Sequence, residues 1–178
     1  MGYFLTAKSR IEQTDTKNYW KLVDNELYMS NDGTISITPR YFWTDGYSFP
    51  YFIMPFIGDR NSLDVRPAHA HDLFCRFHQR IIVDLSLKEL IEKGYLHDHN
   101  GIIVCEDLPK YTLNIIKIKK TKADDLIKEM MLSCKIPEKI CNIVRFGVFF
   151  NLNWLRTGRK DLYDYRIFYE DIGLVNGF

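Results

Sequence analysis

The sequence has little that would commit it to a disulfide framework or to a membrane. It contains no CxxC pair, and its four cysteines are far apart, at Cys75, Cys105, Cys134 and Cys141. Three of them fall in apolar helical or strand patterns, where a free cysteine behaves as a small hydrophobic residue. No stretch approaches the roughly 18 consecutive apolar residues that a membrane-spanning helix needs. We therefore expect reduced core cysteines and no transmembrane segment.

The chain also lacks a dominant charge. Its 24 basic and 23 acidic residues leave a formal charge of +1, so no overall field would attract nucleic acid or an acidic membrane. The densest basic run, KIKKTK at residues 117–122, has no interleaved aromatic residues and is typical of a solvated linker. At the N-terminus, apolar residues precede the positive charge, the reverse of a secretory signal. The sequence therefore disfavours nucleic acid as a partner and secretion through a signal peptide.

What is present is enough apolar and aromatic material for one domain, which we assign to residues 1–178. The apolar share is 46% and the aromatic share 15% of 178 residues, which suits one domain with a sizeable interior. Segments between residues 19 and 44 alternate like strands, with a turn signal at Asn31-Asp32-Gly33, and predict an antiparallel sheet. Residues 45–58 hold two prolines and many aromatics and predict a fixed loop, which we expect to cover the core rather than to dock a partner.

Helical patterns dominate the second half. Pro67 suits the first turn of a helix whose apolar face continues to Arg80. Ser86 with Glu89, and Thr121 with Asp124, have capping-box spacing. Pro137 opens a last long helix. The predicted fold class is α+β, an N-terminal antiparallel sheet packed with three to four helices.

A helix and a hairpin form a predicted insertion at residues 85–106. The helix spans Leu87 to Lys93, and Asn100-Gly101 is a strong hairpin signal. We expect this insertion to project from the core with few core contacts, and His97 and His99 to share one side of its strand. Residues 159–178 form a tail whose structure the sequence does not assign.

Three segments together resemble an uncharacterised family of tailed-phage proteins, a domain of unknown function. They are TDGYSFP from Thr44, the His-Asp pair within RPAHAHDLFC from Arg66, and an Ala-Asp helix from Ala123 followed by a last helix with a central glycine, Gly147. The resemblance covers about two thirds of the chain and departs at residues 83–120 and after Gly158. It implies a phage-encoded protein in the host cytoplasm or the virion, with phage or host proteins as partners. The family has no agreed activity.

The matched polar residues predict a catalytic site. His71, Asp72 and Asp124 offer an imidazole and two carboxylates that could bind a divalent metal, and such a metal would activate water for hydrolysis. Asp45 would act as a further ligand or general base, and Ser48 would position the substrate. HD-domain phosphohydrolases also carry adjacent His and Asp, but they are all helical and need a further histidine on an earlier helix.

A structural interpretation accounts for the same residues. Asp124 would cap its helix, Asp72 and His71 would hold the loop to the helix, and Asp45 and Ser48 would form turns with their own backbone. Two functions therefore stay open. One is a small metal-dependent hydrolase with His71, Asp72, Asp124 and Asp45 around the ion. The alternative is a noncatalytic virion or assembly component, or a protein that binds a host factor through an aromatic loop surface.

Overall fold

The computed structural model describes residues 2–14, 20–44, 54–57 and 63–149. Its five helices are α1 (Met54–Ile57), α2 (Arg66–Phe77), α3 (Leu87–Glu92), α4 (Lys120–Ser133) and α5 (Glu138–Phe149). Its ten strands are β1 (Tyr3–Phe4), β2 (Ile11–Gln13), β3 (Trp20–Leu22), β4 (Glu26–Met29), β5 (Ile35–Thr38), β6 (Trp43–Thr44), β7 (Gln79–Val83), β8 (Leu96–His99), β9 (Ile102–Cys105) and β10 (Leu113–Lys117). The predicted α+β class is confirmed. No helix in these ranges is long and apolar enough to cross a membrane.

The central sheet has five antiparallel strands in the order β1-β4-β5-β7-β10. Strands β4 and β5 are joined by the predicted turn, in which Gly33 has a φ of 81°, a conformation that favours glycine because it lacks Cβ. The Gly33 amide donates to the Ser30 carbonyl. Strands β2, β3 and β6 form a second sheet, and β8 with β9 forms a hairpin.

The N-terminal strands β1, β4 and β5 form part of the predicted antiparallel sheet, and two strands from later in the chain, β7 and β10, extend it. Helix α2 ends at Phe77, before Arg80, because His78 turns into the left-handed region with a φ of 51° and its N–H donates to the Phe74 carbonyl. The β-branched run Ile81-Ile82-Val83 then favours a strand. Strand β7 therefore joins β5 and, on its other side, pairs with β10.

Helix α4 divides its apolar residues between two buried clusters. Leu126 and Met130 pack in the larger cluster, with residues of the central sheet and α2. Ile127 and Met131 pack in the smaller cluster, with residues of α5. Helical spacing produces this division, because residues one position apart project about 100° apart around the axis. Helix α4 is therefore a fixed internal element, and the polar side chains that reach it lie inside the fold.

The predicted helix and hairpin at residues 85–106 are both present. Ser86 and Glu89 form the predicted capping box of α3, and Asn100 and Gly101 connect β8 to β9 with φ values of 57° and 82°, as a type I′ turn requires. However, Leu90, Leu96 and Cys105 are buried within the larger core cluster. The expectation of few core contacts is therefore wrong.

Candidate functional site

Helix α2 carries two buried histidines that leave it in opposite directions. His69 and His71 are separated by two positions, which is about 200° around a helix. Pro67 lies in the first turn, as predicted, and fixes the start of the helix because proline needs no hydrogen-bond partner there. Each histidine meets a carboxylate on a different element. Helix α2 thus sets the geometry of the candidate site.

His71 contacts Asp124 on α4, which brings together two of the predicted site residues. The imidazole Nε2 lies 3.3 Å from Asp124 Oδ1, and the side chains are 9% and 3% exposed. The other carboxylate oxygen, Oδ2, accepts a 2.7 Å hydrogen bond from the ammonium of Lys120, which also donates to the Val148 carbonyl. Both oxygens of Asp124 are therefore engaged.

The ionised form of Asp124 is stabilised in this setting. Burial alone would raise the pKa of the Asp124 carboxyl, but hydrogen bonds from His71 and Lys120 and the charge of Lys120 outweigh it, so the pKa lies below its usual value. The predicted capping role of Asp124 is wrong, because α4 begins at Lys120 with Lys119 at the N-cap position. Asp124 lies one turn further along, where its carboxylate reaches α2.

Asp72 lies apart from this pair and faces strand β6. Its Oδ2 accepts a 2.5 Å hydrogen bond from the hydroxyl of Thr44 and lies 3.9 Å from Arg76 Nη2. Arg76 in turn donates to the Trp43 carbonyl. Thr44 is the first residue of the TDGYSFP segment, so this segment does contact the His-Asp helix at its start. Asp72 therefore connects α2 to β6.

The metal-binding set predicted from the sequence is only partly assembled. Within the described ranges, no group of three or more His, Cys, Asp or Glu side chains is placed to hold a metal ion. His71 and Asp124 meet, while Asp72 points to Thr44. Asp45 and Ser48 lie outside the described residues. Most of the predicted aromatic loop and the tail at residues 159–178 also lie outside them. A divalent-metal site stays a prediction.

A second buried pair, Glu26 with His69, was missed by the sequence reasoning. Glu26 lies in β4, and its Oε2 is 3.0 Å from His69 Nδ1, with side-chain exposures of 0% and 2%. Glu26 Oε1 also accepts a hydrogen bond from the Ser9 amide. The available signal was one acidic residue at the start of an otherwise apolar strand, since a charge at such a position needs a partner.

Cys75, His71 and Asp124 are the residue types of a Cys-His-Asp catalytic triad, but Cys75 has the properties of a buried core residue. Its Sγ lies 3.5 Å from His71 Nε2 and 3.6 Å from Nδ1. A catalytic arrangement would place the thiol on one ring nitrogen and the carboxylate on the other, whereas here Asp124 contacts Nε2 and the thiol sulfur is almost equally far from both nitrogens. Burial, with the charges of Asp72 and Asp124, raises the pKa of the Cys75 thiol. The thiol stays protonated and is a poor nucleophile.

The outer face of the β8–β9 hairpin carries a different kind of surface. His97 pairs with Val104 and His99 with Ile102, and alternating residues of paired strands share a face, so the two histidines lie on one side, as predicted. Tyr95 precedes them on the same face, and its carbonyl accepts from the Glu106 amide. Burial and the neighbouring Tyr111 raise the pKa of the Tyr95 hydroxyl. Ile102 is 52% exposed and Tyr111 80% exposed. We call Tyr95, Ile102, Val104 and Tyr111 the hairpin surface.

Comparison of the chain with protein-family models, with curated proteins and with solved structures finds no match. The resemblance to a tailed-phage family therefore stays a prediction.

Proposed function

We propose that this protein is a noncatalytic binding protein that contacts its partner through the hairpin surface. The observation that carries the proposal is the exposure of large apolar side chains there, 80% for Tyr111 and 52% for Ile102. Aromatic and aliphatic side chains surrounded by polar groups are typical of protein interfaces, and here His97, His99 and Glu106 supply the polar rim. In the phage context that the resemblance implies, the partner is a virion or assembly protein or a host factor.

The hairpin surface also has a rigid base, which supports a binding role. The side chain of buried Asn25 donates to the carbonyls of Cys105 and Glu106, and the Ala7 amide donates to the Ile103 carbonyl. A surface held in its binding conformation loses less entropy on association. These contacts hold the hairpin to the N-terminal half of the domain.

A metal-dependent hydrolase is the second candidate, supported by the 3.3 Å contact between His71 and Asp124. The ammonium of Lys120, 2.7 Å from the Asp124 carboxylate, weakens this proposal. The Lys120 ammonium already neutralises Asp124 Oδ2, an oxygen that a metal ion would need as a ligand. The internal pairing of His71, Asp124 and Lys120 agrees better with a scaffold role for α2 and α4.

Site-specific photo-cross-linking tests the binding proposal. A photoreactive residue at Ile102 in a bacterial lysate should cross-link to a discrete protein, and the product should be lost when Tyr111→Ser is added. The same residue at Ile11, which is 45% exposed on β2, serves as the matched control and should give no such product. Equal labelling from both positions would contradict the proposal. A stoichiometric divalent metal retained after dialysis would instead favour the hydrolase.

A further inference from the structure

The outer edge of strand β10 presents main-chain groups without partners in the described structure. Strand β10 is the last strand of the central sheet and pairs only with β7 there. The Asp84 amide donates to the Thr112 carbonyl, and the Ile118 amide donates to the His78 carbonyl. These bonds fix which residues of β10 point toward β7.

Alternate residues of β10 therefore direct their main-chain N–H and C=O groups away from β7. In an antiparallel ladder, hydrogen-bonded and non-hydrogen-bonded pairs alternate. Asn114 and Ile116 therefore form main-chain hydrogen bonds with β7. The main-chain groups of the other three residues point outward, namely those of Leu113, Ile115 and Lys117. The Leu113 amide turns back to the Lys110 carbonyl. Amides of Ile115 and Lys117, and the carbonyls of all three residues, have no partner among the described residues. Such an edge is a template for another strand.

Positive charge surrounds the C-terminal end of this edge. Lys117, Lys119 and Lys122 are all exposed, and none has an ion-pair partner within the described ranges. By contrast, Lys120 between them is committed to Asp124. Ile116 is 37% exposed beside them. The edge thus combines free hydrogen-bonding groups, one apolar side chain and a local excess of positive charge on a nearly neutral chain.

The geometry points to β10 as a docking site for an extended acidic protein segment. The segment adds to the sheet as a sixth, antiparallel strand, forming hydrogen-bonded pairs at Ile115 and Lys117, with its acidic N-terminal end beside Lys117, Lys119 and Lys122. Strand addition supplies affinity through main-chain hydrogen bonds and specificity through side chains, and the lysines select an acidic segment by charge complementarity. None of Ile115, Lys117, Lys119 and Lys122 belongs to the hairpin surface, although Tyr111 of that surface lies two positions before the start of β10.

Hydrogen exchange of the whole protein tests the inference one amide at a time. The probe is a synthetic peptide with acidic N-terminal residues followed by alternating valine and threonine, and a peptide with lysine at each acidic position is its control. Saturation with the acidic peptide should slow exchange at Ile115 and Lys117. The amides of Asn114 and Ile116, which already bond to β7, should change little. The lysine peptide should produce no protection.

Reversing the charge of lysines at the edge tests whether the acidic peptide binds there and not elsewhere on the protein. The double substitution Lys117→Glu with Lys119→Glu should weaken binding of the acidic peptide by roughly tenfold, about 1.4 kcal/mol. Lys139→Glu, at an exposed lysine on α5 outside the basic run at residues 117–122, should change it by less than about twofold. Normal binding in the double variant, or saturation without protection at Ile115 and Lys117, would overturn the inference.

Two further outcomes would also overturn it. Failure of the acidic peptide to bind at any accessible concentration removes the partner that we assign. Protection of the Ile115 and Lys117 amides in the peptide-free protein means that the edge is already occupied. Protection that rises with protein concentration indicates a second copy of the protein. Protection that does not depend on concentration indicates the chain itself. Because these readouts use no hairpin residue, they leave the cross-linking test of the hairpin surface unaffected.

Discussion

The imidazole of His69 and the carboxylate of Glu26 form a buried pair, with Nδ1 3.0 Å from Oε2 and side-chain exposures of only 2% and 0%. This pair connects α2 to β4, as His71 and Asp124 connect α2 to α4. Helix α2 is therefore held on both sides by polar contacts within an apolar interior. Such contacts position an element closely, because a misplaced helix would leave two buried polar groups unpaired.

Substituting Glu26 by Gln should destabilise the protein by roughly 1 to 3 kcal/mol, because it weakens a buried charge-assisted contact and leaves His69 poorly paired. His69→Gln should have a similar effect. The double variant should cost less than the sum of the single variants, with a coupling of about 1 kcal/mol or more. Urea unfolding of the four proteins measures this cycle, and strictly additive losses would show that the contact contributes nothing.

Asp124→Asn should destabilise the protein by roughly 1 to 3 kcal/mol, because it leaves Lys120 and His71 facing a neutral amide. Asp72→Asn should cost less, since Asp72 is more exposed than Asp124, at 16% against 3% for the side chains. Neither the parent nor the variants should gain melting temperature with Mn²⁺ or Zn²⁺ relative to chelator. A metal-dependent gain in the parent that disappears in Asp124→Asn would support the hydrolase instead.

Acid should remove the stabilisation that Asp124 provides. Its pKa is lowered in the folded protein, so its contribution is fully present above the unfolded value of about 3.8 and is lost as the pH falls through the lower folded value. Unfolding free energies measured from roughly pH 5 to pH 2 should therefore fall less steeply in Asp124→Asn than in the parent. Asp84→Asn, at an exposed position, is the control and should keep the parental slope.

Deleting residues 85–106 should abolish cooperative unfolding, because Leu90, Leu96 and Cys105 belong to the main core and losing large buried side chains costs several kcal/mol each. Adding glycine and serine between Asn100 and Gly101 should be tolerated, since loop tips accept insertions. Thermal melts followed by circular dichroism compare the two changes. A deletion protein that melts cooperatively would mean that the core forms without the hairpin.

The cysteines should react slowly with iodoacetamide in the native protein. Burial raises the pKa of the Cys105 and Cys134 thiols to about 12 and raises those of Cys75 and Cys141 as well, so almost no thiolate is present near neutral pH. All four should be modified rapidly in denaturant. Mass spectrometry of the native protein distinguishes them, and rapid labelling of Cys75 would reopen a nucleophilic role for it beside His71.

Local features of this fold could be predicted from the sequence. The Ser86–Glu89 capping box and the Asn31–Gly33 and Asn100–Gly101 turns depend on residues within a few positions of one another, and all three form as expected. Contacts between distant residues could not be predicted in the same way. The pairing of Ser36 with Ile82 requires knowing which segments meet, and no local pattern encodes that.

The candidate site shows the same division. Residue type indicates that His71 and Asp124 could converge, and they lie 3.3 Å apart. The basic run at residues 117–122 predicts a solvated linker, whereas the ammonium of Lys120 turns inward to Asp124. Glu26 was treated only as part of a strand, because its role depends on a histidine in a helix far along the chain. Residue type indicated which groups need partners, and tertiary packing determined which partners they have.

The order of strands in the central sheet also constrains how the chain is made. Strands β1, β4 and β5 leave the ribosome first, yet β5 has β7 as its neighbour and β7 has β10. Until those later segments are synthesised, the open side of β5 is an unpaired edge on a nascent chain, which is prone to associate with other chains. Transient binding by a molecular chaperone during translation would protect it, and production from a cell-free system without chaperones should give a lower yield of folded protein.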